Sequence, residues 1–399
     1  MAGWSARRSQ GRKAEQRRSG TASGASGVPA GTPREVIAGL KPGVPTETPL
    51  PATTNWLLRG KDGRLTAYAP VDGGVLRWTE TTAGGPDWTA PDVLPAPGLV
   101  PYLSIVQSTE GYVYLTGLRR LPGADGLLDV DVVYGVQYQT GRPMRDWHPL
   151  ANPYPVARVK HFAAQMGVPV TFVDAAGSLH VFLNNAGGGV SSRSQNPVRW
   201  QPKWADLKGS NVTGTLGAGV NEAGHIDVFA PSTDHVLRWS QDAAGAVFPR
   251  LDEDLADAAV ADGTFTSLPT GTTSVTRFWR NAYSGELRAW RPDTGVRSLG
   301  GAGGTGPVAL LRTPVDGVDC TLLAQRDASG RIALAAYPTE QEDTGLSWTL
   351  TGPVVTGAPA LCLDGRGRIV LAAIGEDGGL LVTRQKDESG LALEEWTRA

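Results

Sequence analysis

Two stretches of the sequence, RLTAYAPVDGGVLRWTE (64–80) and HIDVFAPSTDHVLRWSQ (225–241), match almost position for position. Each holds a short apolar run, a turn, and a second run that ends in Leu-Arg-Trp, with the tryptophans at Trp78 and Trp239. A glycine directly precedes each stretch. Two short apolar runs joined by such a turn are typical of a β-hairpin. The chain therefore repeats a hairpin-containing unit.

Weaker copies of the unit are GELRAWRP (285–292) and RIVLAAIGEDGGLLVTRQ (368–385). A short fourth segment, often with Trp, closes each unit. Four short strands with a period of 40–50 residues predict a β-propeller blade. We assign the longest step between units, 61 residues, to an insertion, LPGADGLLD (121–129). The turns before the third strands align at Gly74, Gly135, Gly189, His235, Gly285, Gly330 and Gly379.

The unit length predicts an all-β fold, a seven-bladed β-propeller of four-stranded antiparallel blades over residues 55–399, with six or eight blades left open. An isolated four-stranded sheet with two apolar faces cannot bury both, whereas radial stacking on two neighbours buries both and hides the sheet edges. The last blade fits within residues 358–399, so ring closure requires no strand shared between the two ends. A strand from residues 50–58 stays open as an alternative.

Residues 1–54 differ in composition from the rest. They contain eight Lys/Arg against three Asp/Glu, and residues 1–32 are mostly Ser, Gly, Ala, Arg and Gln around the single Trp4. Such a segment cannot bury enough apolar surface to offset the loss of chain entropy. We predict a disordered, basic Ser/Gly/Arg/Pro-rich tail and linker, which serves as a tether or delivery signal or is a dispensable extension.

Composition and motifs narrow the function classes. A net charge of −2 argues against nucleic-acid binding, and no run approaches the roughly 20 apolar residues of a membrane span. The N-terminus lacks the apolar region of a signal peptide, so we expect a cytoplasmic protein or one exported by another route. The five histidines have no metal-ligand spacing, and no Gly-x-Ser-x-Gly occurs. No catalytic residue, metal or cofactor is predicted, and the oligomeric state stays open.

The repeat Asp-Gly-x-Leu-x-aromatic, followed by Gly-x-Leu-x-x-Trp and a further Trp, resembles the bacterial seven-bladed lectin propellers and the tectonin-like propellers. The motifs of WD40, kelch and sialidase blades do not recur. In the resembled family, shallow pockets between blades bind sugars through stacked aromatic and hydrogen-bonding side chains. The resemblance therefore implies carbohydrate recognition. The sixth and seventh units lack Trp on the third strand, so only some seams are expected to hold such pockets.

The candidate ligand-binding residues are the Arg and Trp of the third strands. Trp offers a stacking surface and Arg a planar donor. Neighbouring strand residues point to opposite faces, so a site would combine the Trp of one blade with the Arg of the next, or place both near the rim. In the alternative interpretation, Trp fills the wedge between blades and Arg covers it with its aliphatic stem. The candidates are Arg77, Trp78, Arg238, Trp239, Arg288 and Trp290.

The sequence thus favours a non-catalytic binding propeller that recognises a carbohydrate or docks on a protein. Two other classes stay open. One is an enzyme, a glycoside hydrolase or lyase, whose carboxylates converge at the mouth of the central channel. The other is a scaffold or cargo component of a larger bacterial assembly.

Overall fold

The computed structural model describes residues 50–195, 199–233, 235–245, 247–256, 259–271 and 275–399. It contains seven four-stranded antiparallel sheets, each built from four consecutive strands. The predicted fold class and the count of seven blades are confirmed. Residues 1–49, most of the predicted tail, lie outside the described residues.

The blades follow one another in chain order, and the first strand of each lies nearest the central channel. Blade 1 comprises β1 (Leu57–Arg59), β2 (Leu65–Val71), β3 (Gly74–Thr79) and β4 (Asp92–Pro95); blade 2, β5 (Ser104–Gln107), β6 (Val113–Pro122), β7 (Leu128–Gln137) and β8 (His148–Pro149); blade 3, β9 (Val170–Val173), β10 (Leu179–Asn184), β11 (Val190–Gln195) and β12 (Ala205–Lys208); blade 4, β13 (Gly217–Val220), β14 (Ile226–Pro231), β15 (His235–Ser240) and β16 (Arg250–Ala256). Blade 5 comprises β17 (Thr266–Pro269), β18 (Val275–Arg280), β19 (Leu287–Arg291) and β20 (Gly295–Ser298); blade 6, β21 (Thr305–Val315), β22 (Val318–Arg326), β23 (Ile332–Pro338) and β24 (Thr349–Thr351); blade 7, β25 (Val355–Leu363), β26 (Ile369–Gly375), β27 (Leu380–Arg384) and β28 (Thr397–Arg398). Two 3₁₀ segments, Ala157–Gln165 and Glu342–Thr344, complete the described secondary structure.

The long step in the repeat has a different origin from the predicted insertion. Pro122 and Leu128 pair directly, so LPGADGLLD is the β6–β7 hairpin turn, at the tip of two ten-residue strands. Gly135 lies inside β7, and its place in the turn series was wrong. The extra residues follow blade 2, where the 3₁₀ segment Ala157–Gln165 precedes β9. The length of this hairpin caused the error. Its turn lies at residues 123–127, and Gly135 falls eight residues beyond it, inside β7.

The ring closes through side chains at the junction of blades 7 and 1, since all four strands of blade 7 come from the C-terminal end. The Glu80 carboxylate accepts hydrogen bonds from the Leu65 amide at 2.8 Å and from the Arg384 guanidinium at 2.8 Å. Glu80 is 0% exposed and Arg384 4%. The indole N–H of Trp56 also donates to the Ala358 carbonyl. Closure without a shared strand is therefore confirmed.

The chain enters the fold beside the channel. The Thr53 hydroxyl is buried and accepts the Leu103 amide at 3.0 Å. Leu50 packs against the cluster of blades 2 and 3 that includes Ala163 and Met166. Residues 50–54, predicted as the end of the linker, thus contact the body of the propeller.

The Gly-rich stretch GGAGGTGP (300–307) encloses a buried arginine. The Arg280 guanidinium donates to the carbonyls of Gly285, Gly301 and Gly306 and to the Gln325 amide oxygen. A Cβ at Gly304 would lie 2.0 Å from Arg280 Nη2, so only glycine fits there. Burial lowers the pKa of Arg280 to about 10, and it stays charged at neutral pH. The stretch therefore has a structural role at the seam between blades 5 and 6.

The seam between blades 3 and 4 holds a buried acid–imidazole pair. Asp174 accepts hydrogen bonds from His180 at 2.9 Å, from Gln241 at 3.3 Å and from the Gly245 amide at 2.6 Å. The other imidazole nitrogen of His180 contacts the Ser194 hydroxyl. Burial lowers the pKa of His180, although its hydrogen bond to Asp174 opposes the shift.

This pair predicts acid sensitivity of the fold. Because the pKa of His180 is lowered in the folded state, the unfolded chain takes up its proton first as the pH falls below about 6.5. The free energy of unfolding should therefore decrease between pH 7.5 and pH 5.5. The pKa of Asp174 is lowered as well, so its contribution is lost only at more acidic pH. Urea unfolding at the two pH values, on the wild type and His180→Gln, measures the effect. An equal decrease in both proteins would assign it elsewhere.

Candidate functional site

The predicted pair on blade 1 is buried at two different seams. The Arg77 guanidinium donates to the Arg142 carbonyl of blade 2 at 2.9 Å and pairs with Asp92 at 2.6 Å. Trp78 is 1% exposed and packs in the cluster that includes Val370 of blade 7. The two side chains therefore point to opposite faces, as strand alternation predicts, and Trp78 has no ring face open to a ligand.

The equivalent pair on blade 4 has the same arrangement. Trp239 is 0% exposed, and its indole N–H donates to the Leu207 carbonyl of blade 3 at 2.9 Å. Arg238 pairs with Asp227 of its own blade at 2.9 Å. Trp239 thus fills the wedge between blades 3 and 4, and a stacking role for it does not fit its burial.

The third pair, on blade 5, also makes contacts within the protein. Arg288 pairs with Glu286 at 2.7 Å. The Trp290 ring packs against the Arg277 guanidinium, 4.3 Å from the ring centroid, and that guanidinium lies 4.0 Å from the ring of Phe229 on blade 4. The structure does not bring the six candidate residues together at one site. The alternative interpretation, in which Trp fills the wedge between blades, accounts for the burial of Trp78 and Trp239, while Arg238 and Arg288 pair within their own blades.

The seam between blades 2 and 3 departs from this pattern. The third strand of blade 3 begins VSSRSQ (190–195), where blades 1 and 4 have VLRWTE and VLRWSQ. Arg193 therefore stands at the position of Trp78 and Trp239. It faces blade 2, donating to the Leu150 carbonyl through Nη1 and to the Gln201 carbonyl through Nε. An arginine thus takes the place of the indole in this wedge, where Trp204 of blade 3 also donates to the Leu150 carbonyl.

Aromatic side chains line the blade 2 side of this seam. Tyr112 and Tyr138 pack edge to face, with their ring centroids 4.9 Å apart. Tyr134 lies 5.6 Å from the His148 ring and 5.3 Å from the Trp200 ring of blade 3. We define the tyrosine seam as this group together with the half-buried Tyr114 and two arginines: Tyr112, Tyr114, Tyr134, Tyr138, Arg145, His148, Arg193 and Trp200.

The rings of the tyrosine seam are accessible. Tyr138 is 44% exposed. Tyr114 is half-buried, whereas the residues at its register position in blades 1, 3 and 4 are buried. Those residues are Thr66, His180 and Asp227. The hairpin register places Tyr114 opposite Val136, two residues from both Tyr134 and Tyr138, so the tyrosines share one face. The stripe from Tyr134 to Tyr138 is about 13 Å long.

Several polar groups of the tyrosine seam have no protein partner. Within the described residues, the hydroxyls of the four tyrosines make no hydrogen bond, and the buried indole N–H of Trp200 has no acceptor. Burial raises the pKa of Tyr114, and the neighbouring Tyr138, Tyr112 and Tyr134 add to the shift. The Tyr114 hydroxyl is therefore a neutral donor at neutral pH. The seam offers ring faces and phenol hydroxyls to a ligand, whereas the Trp200 N–H is buried.

A sequence signal for this site exists in GYVYLTG (111–117) and VVYGVQYQ (132–139). The tyrosines alternate with buried residues, which places them on one face of paired strands. The tryptophan repeat led the prediction to blades 1, 4 and 5, because only those blades carry Trp on the third strand.

Apart from the tyrosine seam, a cavity of about 300 Å³ lies in the central channel. The first strands of blades 2 to 6 line it, together with the entering residues 51–55. No Asp, Glu, His, Lys or Arg side chain is among its described lining residues, and the buried hydroxyl of Thr171 has no partner there. No group of three or more potential metal ligands occurs within the described residues. None of the helices described is long and apolar enough to cross a membrane.

The comparisons with known proteins agree on the fold. An ulvan lyase of a polysaccharide lyase family, bound to a GlcA–Rha3S saccharide, is 9% identical over 87% of this chain and 96% of its own, with a TM-score of 0.51. The SapL1 lectin, in complex with alpha methyl fucoside, is 16% identical over 77% and 97%, with a TM-score of 0.46. AofleA from Arthrobotrys oligospora is 9% identical over 74% and 85%, with a TM-score of 0.47. No protein-family model and no curated protein matches the chain.

These identities are low, so the similarity concerns the fold. One of these structures, SapL1, is described as a lectin. The fold and the site together define a seven-bladed β-propeller with an open aromatic seam between two blades.

Proposed function

We propose that the protein is a non-catalytic carbohydrate-binding propeller whose binding site is the tyrosine seam. The observation that carries the proposal is the set of accessible tyrosine rings with unpaired hydroxyls at the seam where Arg193 stands at the position of the wedge-filling tryptophans. The apolar C–H faces of a sugar ring pack on aromatic rings, and sugar hydroxyls pair with phenol and indole donors.

The shape of the seam favours a saccharide over a globular protein surface. The rings follow one strand pair, and Trp200 of blade 3 borders them. A narrow stripe of this kind suits a chain-like ligand with alternating apolar and hydroxyl surface. Protein docking stays an alternative outcome of the binding test.

The enzyme alternative finds no specific support. Glycoside hydrolysis needs two carboxyl groups that face one another across the scissile bond. The central cavity, where they were expected to converge, has no carboxylate among its described lining residues. The tethering or delivery role of the tail and the cytoplasmic or signal-independent location remain predictions.

A tyrosine substitution tests the proposal. Tyr138→Ala should weaken oligosaccharide binding roughly tenfold, because a stacked ring contributes on the order of 1 kcal/mol beyond its buried area. The melting temperature should stay within a degree or two, because the ring is 44% exposed. A glycan array followed by isothermal titration with the best hits measures both affinity and stoichiometry.

Tyr283→Ala is the matched control, since Tyr283 is 92% exposed on blade 5, away from the seam. The proposal requires that this variant binds like the wild type. If the array gives no hits, or if Tyr138→Ala binds as tightly as Tyr283→Ala, the tyrosine seam is not a carbohydrate site.

A further inference from the structure

Two guanidinium groups border the tyrosine seam without a neutralising partner. Among the described residues, neither Arg145 nor Arg193 has a carboxylate within 4 Å. Arg145 is exposed, and its guanidinium carbon lies 5.3 Å from the centroid of the Tyr138 ring. Arg193 is half-buried, with Nη2 left without a protein acceptor. The seam therefore combines ring faces with unpaired positive charge.

At three other seams, the arginine guanidinium has a carboxylate or carbonyl partner. Arg384 pairs with Glu80 between blades 7 and 1, Arg277 with Asp227 between blades 4 and 5, and Arg291 with Glu342 between blades 5 and 6. Arg280 has no carboxylate, but it is 3% exposed and enclosed by oxygen acceptors. The arginines at these three seams are thus paired with a carboxylate or enclosed by acceptors, whereas Arg145 and Arg193 have no carboxylate partner among the described residues.

The nearby carboxylates do not neutralise it. Asp131 lies on β7 between Val130 and Val132, which face blade 3, so strand alternation turns it to the opposite face, where it pairs with Arg119 at 3.4 Å. Asp146 is exposed next to Trp147 and makes no ion pair with a described residue. An anionic ligand would therefore meet net positive charge at the seam.

We propose that the tyrosine seam selects anionic saccharides, with the acid groups bound by Arg145 and Arg193 while the sugar rings pack on the tyrosines. This inference rests on the proposed carbohydrate-binding function. The planar guanidinium fork matches both a carboxylate and a sulfate ester, so uronic acids and sulfated sugars share the required chemistry. Because Arg145 lies over the Tyr138 ring, its guanidinium covers one face of that ring, and a sugar residue whose acid group binds Arg145 would pack on a neighbouring exposed ring surface.

Three oligosaccharides of equal length provide the test: a galacturonan hexamer, a sulfated galactan hexamer and a neutral galactan hexamer. We expect at least one anionic hexamer to bind ten or more times more tightly than the neutral one. The affinity should fall as sodium chloride rises from 50 to 500 mM, because screening weakens contacts between exposed charges. Arg145→Gln and Arg193→Gln should each weaken anionic binding about tenfold, the loss of one charge-assisted hydrogen bond.

Arg366→Gln, at an exposed turn on blade 7, is the control and should change nothing. The preference between the two anionic hexamers distinguishes a uronate site from a sulfate site. Equal affinity for neutral and anionic hexamers, or anionic binding that both glutamine variants retain, would overturn the selectivity and leave the carbohydrate site standing. Failure of all three hexamers, together with an empty glycan array, would overturn the carbohydrate site as well.

Discussion

Trp239→Ala is expected to lower the free energy of unfolding by about 3–5 kcal/mol, the usual loss for removing a large buried aromatic side chain. Trp239 is 0% exposed, donates to the Leu207 carbonyl across the seam and packs close to Gly209 of the same blade 3 turn. Its removal leaves a cavity between two blades and an unpaired carbonyl. Trp78→Ala, in the equivalent wedge between blades 7 and 1, should show a loss of similar size.

Urea unfolding followed by circular dichroism measures these losses, with Tyr283→Ala as the exposed aromatic control. The account requires that the surviving folded fraction of either tryptophan variant binds oligosaccharide like the wild type. A variant with unchanged stability and no saccharide binding would show instead that the tryptophans of the third strands are ligand platforms.

Glu80→Ala is expected to destabilise the propeller by about 3–5 kcal/mol, because it removes the nearer carboxylate partner of the buried Arg384 guanidinium and leaves it only Asp364, at 3.8 Å. It also removes the acceptor for the amides of Leu65 and Gly84. Since no strand is shared between the ends of the chain, these contacts hold blade 1 to blade 7.

Glu80→Gln is the matched control, because glutamine occupies the equivalent position on blade 4, where Gln241 accepts the Ile226 amide. It keeps the amide contact and removes the charge, so its loss of stability should be clearly smaller than that of Glu80→Ala. Chemical denaturation of both variants at pH 7 gives the comparison. A loss below about 1 kcal/mol for Glu80→Ala would mean that the junction closes by apolar packing alone.

The fold could be predicted from the sequence because the repeat follows from how each blade must pack. A hairpin buried on both faces needs apolar residues on both, and the stretches around Trp78 and Trp239 carry that pattern with a constant spacing. The turn of blade 2 was predicted wrongly. Its strands are ten residues long, so the turn lies at residues 123–127 and Gly135 falls inside a strand. Glu80 and Arg384, which close the ring, are far apart in the sequence, and no local pattern predicts their contact.

The candidate site could not be predicted in the same way. The tryptophans that suggested a ligand recur on blades 1, 4 and 5, and Trp78 and Trp239 fill the wedges between blades, so their repetition reflects packing. The tyrosine seam arises where the regularity fails, with Arg193 in place of a tryptophan and Tyr114 in place of a smaller buried residue. Recognising it requires the register of neighbouring blades, and only the folded structure brings Trp200 of blade 3 against Tyr134 of blade 2.

Hydrogen–deuterium exchange of the protein with and without a bound oligosaccharide tests the central claim most directly. Carbohydrate binding at the tyrosine seam predicts slower exchange in peptides that cover residues 111–116, 133–148 and 199–201, and unchanged exchange at the seams that hold Trp78 and Trp239. Protection confined to those tryptophan seams or to the central channel, with residues 111–116 and 133–148 unaffected, would contradict it.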